Sequence, residues 1–174
     1  MSIAPAAAVT VATLNVDIAT LRDQLNEVVE MEQFAADMYA SHASNLPEPW
    51  MAAKAEELRA GALRGREAAM ELMRIVGGRP TGLRRGLAGA MARAKGAVDV
   101  GRTGRFGQLK NLQDMLVAAF LTAGEWSIVQ WMAYGIGDHR LIDVAERQVA
   151  EKSLPYQWLL ATTVQYSSWA ILRP

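Results

Sequence analysis

Between Asp114 and Asp138 the chain carries one Asp, Glu, Lys, Arg or His, Glu125, inside the run MLVAAFLTAGEWSIVQWMAYGIG from Met115 to Gly137. About 20 apolar residues suffice either to cross a bilayer or to form the most buried helix of a helical bundle. The flanks show no bias of basic residues, and Thr122, Gly124, Glu125, Ser127 and Gln130 make a polar centre that suits a bundle, so no membrane span is expected. A buried carboxylate needs a proton, a metal or a cation supplied from elsewhere in the fold. Trp126, Trp131, Trp158 and Trp169, with Met115, Met132 and Tyr134, are read as core packing.

The remaining periodicity predicts an all-α chain of four long helices. Leu21, Leu25, Val28, Val29, Ala36 and Tyr39 fall at helical spacing in a first helix over 17–44, which the two prolines of Leu46-Pro47-Glu48-Pro49 end. A second helix over 49–76 presents Met51, Leu58, Ala62, Gly65, Ala69 and Leu72 on one face and stops at Gly77-Gly78-Arg79-Pro80. The third covers 108–134, and Gly135-Ile136-Gly137-Asp138 turns into a fourth from His139 that Pro155 is expected to bend. Two short loops around one long crossover describe two antiparallel hairpins. The expected division is a flexible arm over 1–16, a bundle over 17–165 with its glycine-rich crossover at 77–107 containing short helices, and an apolar tail over 166–174.

Net charge is zero, yet residues 79–110 carry +7 and the remainder −7. Arg84, Arg85, Arg93, Lys95, Arg102 and Arg105 are candidate anion-binding residues, for a nucleic acid or an anionic membrane surface, although the near absence of interleaved aromatics argues against base stacking. The simpler explanation is a solvated connection lying against an acidic helix. There is no cysteine, which removes disulfides and thiolate ligands and fits a cytoplasmic protein. No basic residue precedes the apolar start, so a signal peptide is not expected.

Glu32-Gln33 in mid-helix, the ending Ile75-Val76-Gly77-Gly78-Arg79-Pro80, Glu125 and the Leu141 to Leu159 pattern together resemble the ferritin-like superfamily. The nearest resemblance is to the bacterial general-stress family of uncharacterised ferritin-like proteins, over about Leu21 to Leu160. It implies a ferritin-like four-helix bundle with carboxylates and His or Gln from all four helices around two iron or manganese ions. On the first helix Glu32 matches that pattern. On the second the matching positions are Gly61 and Gly65, which have no side chains and instead let a neighbouring helix approach closely. Glu125 matches the first carboxylate of the third helix, but Ile128 replaces the second, and the acidic positions of the fourth fall at Lys152 and Tyr156. Only His42 and His139 exist, and neither belongs to a Glu-x-x-His pair.

Charge balance then gives the expected core. If Glu32, Glu125 and Lys152 converge, the ammonium stands where metal cations would, and no cofactor is needed. The alternative is an atypical two-metal site of Glu32, Glu125 and Glu151, for oxidation, peroxide removal or iron handling. The favoured expectation is a non-catalytic, stress-related structural or binding protein, partnered by copies of itself or by another protein.

Overall fold

A computed structural model describes residues 17–81 and 104–172, apart from the side chains of Trp169, Ile171 and Leu172. The arm over 1–16, the short crossover helices and Arg84, Arg85, Arg93, Lys95 and Arg102 lie outside the described residues.

Helix α1 spans Ile18–Ala43, and Asp17 caps it by accepting from the Ala19 amide at 3.2 Å. Helix α2 spans Pro49–Ile75 with proline in its first turn, where no amide is required. Gly77, at φ +69°, takes the left-handed conformation that closes it. Arg22 of α1 donates through Nε to the Val76 carbonyl at 2.8 Å, which ties the end of α2 to the start of α1. Helix α3 spans Gly104–Ile136 and α4 spans His139–Leu172. Gly137, at φ +77°, reverses the chain between them, and Asp138 then accepts from the Arg140 amide at 2.9 Å.

The four helices form two hairpins, α1 with α2 and α3 with α4, joined by the long crossover. Helix α1 packs against α3, whereas α2 and α4 make the thinnest of the four helix contacts. Two hydrophobic clusters fill the interior. One is built around Met31, Phe34, Leu58, Leu112, Met115 and Leu159, the other around Leu21, Leu25, Val28, Leu72, Trp126 and Val129.

Three expectations are corrected. The α4 helix runs through Pro155 and past residue 165 to Leu172; Tyr166 is buried and donates to Gln108 Oε1 at 2.6 Å, so no structural break separates a tail there. Helix α3 begins four residues earlier than predicted and is not buried all round. It is long and apolar enough to cross a membrane, yet only 33% of its most apolar window is buried. Trp131, read as core, is 66% exposed, as are Ile128 and Tyr134 in part.

Candidate functional site

The bundle midpoint holds a pair of opposite charges. Glu32 projects from α1 into the interior and is 1% exposed. Lys152 of α4 places Nζ 2.7 Å from Glu32 Oε1 and also donates to the Gly61 carbonyl of α2 at 3.1 Å. Trp126 of α3, fully buried, donates its indole N–H to the same Oε1 at 2.6 Å. All four helices therefore contribute to one hydrogen-bonded cluster around the Glu32–Lys152 pair.

Gly65 makes this possible. A β-carbon at that position would lie 2.2 Å from Glu32 Oε1 and 2.4 Å from Lys152 Nζ, so any side chain would occupy the space of the ion pair. Gly61 differs, since a β-carbon there would meet only the Arg64 guanidinium at 3.7 Å, an ordinary contact. Close approach is thus a requirement at Gly65 and not at Gly61.

Electrostatics follow from burial. Desolvation pushes the Glu32 carboxyl above its ordinary value, opposed by the Lys152 charge and by the hydrogen bonds from Lys152 and Trp126. Tyr39, about two turns along α1, is pushed up by burial and then by the Glu32 charge. The second oxygen, Glu32 Oε2, is buried with no hydrogen-bond partner among the described residues.

A cleft of about 640 Å³ reaches this pair from the surface between α2 and α4. Its floor is Glu32, Tyr39, Thr122 and Lys152, and charged Lys54, Glu57, Arg64 and Glu151 stand among its lining. The cleft opens there because, of the helix pairs that touch, α2 and α4 make the thinnest contact.

The other expected members of the centre lie elsewhere. Glu125 is half-buried and accepts a hydrogen bond from Gln24 of α1. Burial raises its pKa, the Gln24 bond opposes that, and the Glu27 charge adds to it. It does not complete the Glu32–Lys152 pair, and the reason is helical phase: one residue further on, Trp126 faces inward and takes the place assigned to Glu125. Glu151 is exposed at the cleft, 3.4 Å from Gln148 Nε2, and acts on Glu32 only through its charge. Ile128 is 44% exposed, so the position that the resemblance matches to a second carboxylate of this helix does not face the centre. Tyr156 packs its ring on Phe120 with centroids 5.8 Å apart. Arg105 lies in the first turn of α3.

Trp126 and Gln24 are the functional neighbours that sequence reasoning missed. A tryptophan beside a lone carboxylate in an otherwise apolar run signals one buried indole N–H in need of an acceptor, and that signal was present at Trp126.

A two-metal centre requires several anionic or imidazole donors at one point. Here α2 contributes glycines, α3 an indole donor and α4 an ammonium, none of which supplies an anionic or imidazole side-chain ligand. Among the described residues no three His, Cys, Asp or Glu side chains converge within metal reach. The residues present do not fit the metal pair that the resemblance implies.

These elements define an all-α, ferritin-like four-helix bundle with a polar midpoint, and comparison with solved structures agrees. The fold is similar to a ferritin-like, diiron-carboxylate protein from Bacillus anthracis str. Ames, at a TM-score of 0.59 and 17% identity over 84% of this chain and 96% of that one. It is also similar to a dodecameric thioferritin, the bacterioferritin-related protein from Bacteroides fragilis, at a TM-score of 0.62 and 20% identity over 91% of this chain and 94% of that one. No protein-family model matches the sequence, and no curated protein does.

Proposed function

We propose that this chain is a ferritin-like bundle whose di-metal centre has been replaced by the Glu32–Lys152 ion pair, and that it works as a non-catalytic, stress-related binding or structural protein. One observation carries the proposal: Lys152 Nζ lies 2.7 Å from Glu32 Oε1, in the space that any side chain at Gly65 would occupy. The ammonium supplies the positive charge that a buried carboxylate needs, so the bundle closes without iron or manganese. The stress assignment rests on the resemblance alone.

The binding role is assigned to the cleft between α2 and α4. Glu32 Oε2 is an acceptor with no partner among the described residues, and Lys152 Nζ has three N–H groups, two of them committed to Glu32 and Gly61. A small polar molecule offering an N–H or O–H to Oε2 is the class of ligand this floor suits. Self-assembly belongs to the same proposal, since the Bacteroides relative is described as a dodecamer.

Elemental analysis tests the central claim. Protein produced with supplied iron and manganese, and purified without an affinity tag, is expected to carry well under one metal per chain. Near-stoichiometric metal that disappears in a Glu32→Ala variant would overturn the replacement of the metal centre.

A further inference from the structure

We propose that α3 forms a two-fold interface with α3 of a second copy of this chain, the two helices crossing antiparallel at Gly124. The inference rests on the self-assembly included in the proposed function and assigns the surface responsible. Val117, Phe120, Ile128 and Trp131 are 44%, 59%, 44% and 66% exposed. With Gly124 they occupy one stripe of α3, on the face opposite its buried residues Met115, Ala119, Thr122, Trp126 and Val129.

The stripe is symmetric about its glycine. Phe120 and Ile128 lie four residues to either side of Gly124, and Val117 and Trp131 lie seven to either side. An interface related by a two-fold axis brings residue i against residue j and j against i. Antiparallel crossing at Gly124 therefore sets Phe120 against Ile128 and Val117 against Trp131, each pair twice, a large ring opposite an aliphatic side chain. At the axis glycine meets glycine, and nothing among the described residues lies within 4 Å of where a Gly124 β-carbon would be. The two backbones can thus come close at the one point where the geometry requires it.

Charge and area fit the same occupant. From Met115 to Gly137 the only charged residue is Glu125, and it is turned toward Gln24 of its own α1. No like charges face each other across the axis. The four side chains offer roughly 450 Å² of apolar surface per copy, more than half of the ~800 Å² that each partner buries in a standard interface. Leu160 and Val164, 41% and 59% exposed, continue the side of α4 on which Tyr156 meets Phe120 and extend the surface. A bilayer is a poorer partner: α1 packs beside α3 and carries Asp23, Glu27 and Glu30, which lipid would have to accept.

Sedimentation velocity of the full chain, wild type beside Gly124→Arg, tests the surface. Space is open at Gly124 and arginine favours helix over glycine, so the variant keeps its helical circular dichroism. Wild type is expected as a dimer or an even multiple of one, and Gly124→Arg is expected to weaken association by more than about tenfold. The chain has no cysteine, so oxidising a mixture of Val117→Cys and Trp131→Cys chains is expected to give cross-linked heterodimers, while Val117→Cys alone gives few. Wild type that assembles and a Gly124→Arg variant that assembles equally well would overturn this surface and leave self-assembly standing. A monomeric wild type would overturn both, and protein that co-sediments with anionic vesicles without self-associating would identify a membrane surface as the partner.

Discussion

Lys152→Met removes the ammonium and leaves Glu32, 1% exposed, with the Trp126 indole N–H as donor and no counter-charge bonded to it. The stranded carboxylate then has a cheaper option than remaining charged, which is to take up a proton. Relative to an unfolded chain whose glutamate titrates at the ordinary 4.5, carrying that proton costs about 1.36 kcal/mol per pH unit above this value. The penalty is about 0.7 kcal/mol at pH 5 and about 3.4 kcal/mol at pH 7. The latter agrees with the ~3 to 5 kcal/mol typical of breaking a buried pair. The sign is that of a raised carboxyl: the folded variant holds a proton that the unfolded chain has lost, so its stability falls as pH rises from 4.5 toward the raised value. Wild type changes less over the same window, because the Lys152 charge and hydrogen bond pull the Glu32 carboxyl back down. Urea denaturation at pH 5 and pH 7 reads the difference directly, and at pH 7 a thermal melt is expected to drop by roughly 10 °C. Adding Glu32→Gln to Lys152→Met removes both charges while keeping an acceptor for the Trp126 indole, and most of the loss is expected to return. A loss that is the same at both pH values, or a double variant whose loss is the sum of the two singles, would refute the pairing.

Two further predictions separate neighbouring positions that look alike in the sequence. Gly65→Ala drives a β-carbon into the ion pair and is expected to lower stability by about 1 to 3 kcal/mol, whereas Gly61→Ala meets only ordinary contact and is expected to raise it by about 0.5 to 1 kcal/mol through helix propensity; paired chemical denaturation curves check both signs. Glu125→Gln is expected to change stability by under about 1 kcal/mol, because Glu125 is half-buried and bonded to Gln24 rather than to Lys152. Its carboxyl is also raised, so wild type loses a little stability relative to this variant as pH climbs from 4.5; a loss as large as that of Lys152→Met would place Glu125 in the central pair after all.

The helices were legible because their ends are marked by residues with local reasons to stop a helix: Asp17, Pro47 with Pro49, Gly77, and Gly137 before Asp138. The inward face of α1 was equally legible, since polar and apolar residues alternate along it with a clear helical period, and Glu32 interrupts an otherwise apolar stripe. Helix α3 was not, for a physical reason. It is apolar on both its buried and its exposed faces, so no contrast fixes its rotation, and Glu125 and Trp126, 100° apart around the axis, exchange roles. The same ambiguity concealed the exposed stripe, because hydrophobicity alone does not separate a residue buried in its own chain from one left uncovered. Proline removes one amide donor to the Glu151 carbonyl, yet α4 continues through Pro155 to Leu172, with Leu141 buried on one side of it and Tyr166 on the other.

The glycine on α2 and the lysine on α4 constrain each other. The space that a β-carbon would take at Gly65 is filled by Glu32 Oε1 and Lys152 Nζ, at 2.2 Å and 2.4 Å from it. A ligating side chain at 65 and an ammonium at 152 cannot both be present in this bundle. Placing a carboxylate at 65 alone would push against the ion pair, and replacing Lys152 alone would strand Glu32. Each single change toward a metal-ligating set therefore puts either a steric clash or an uncompensated charge at the midpoint of the bundle, costs of a few kcal/mol against a total stability of about 5 to 15. The ion pair need not be more stable than a metal site to persist. The glycine at 65 and the lysine at 152 fit each other, and only a simultaneous change at both positions avoids the penalty on both sides.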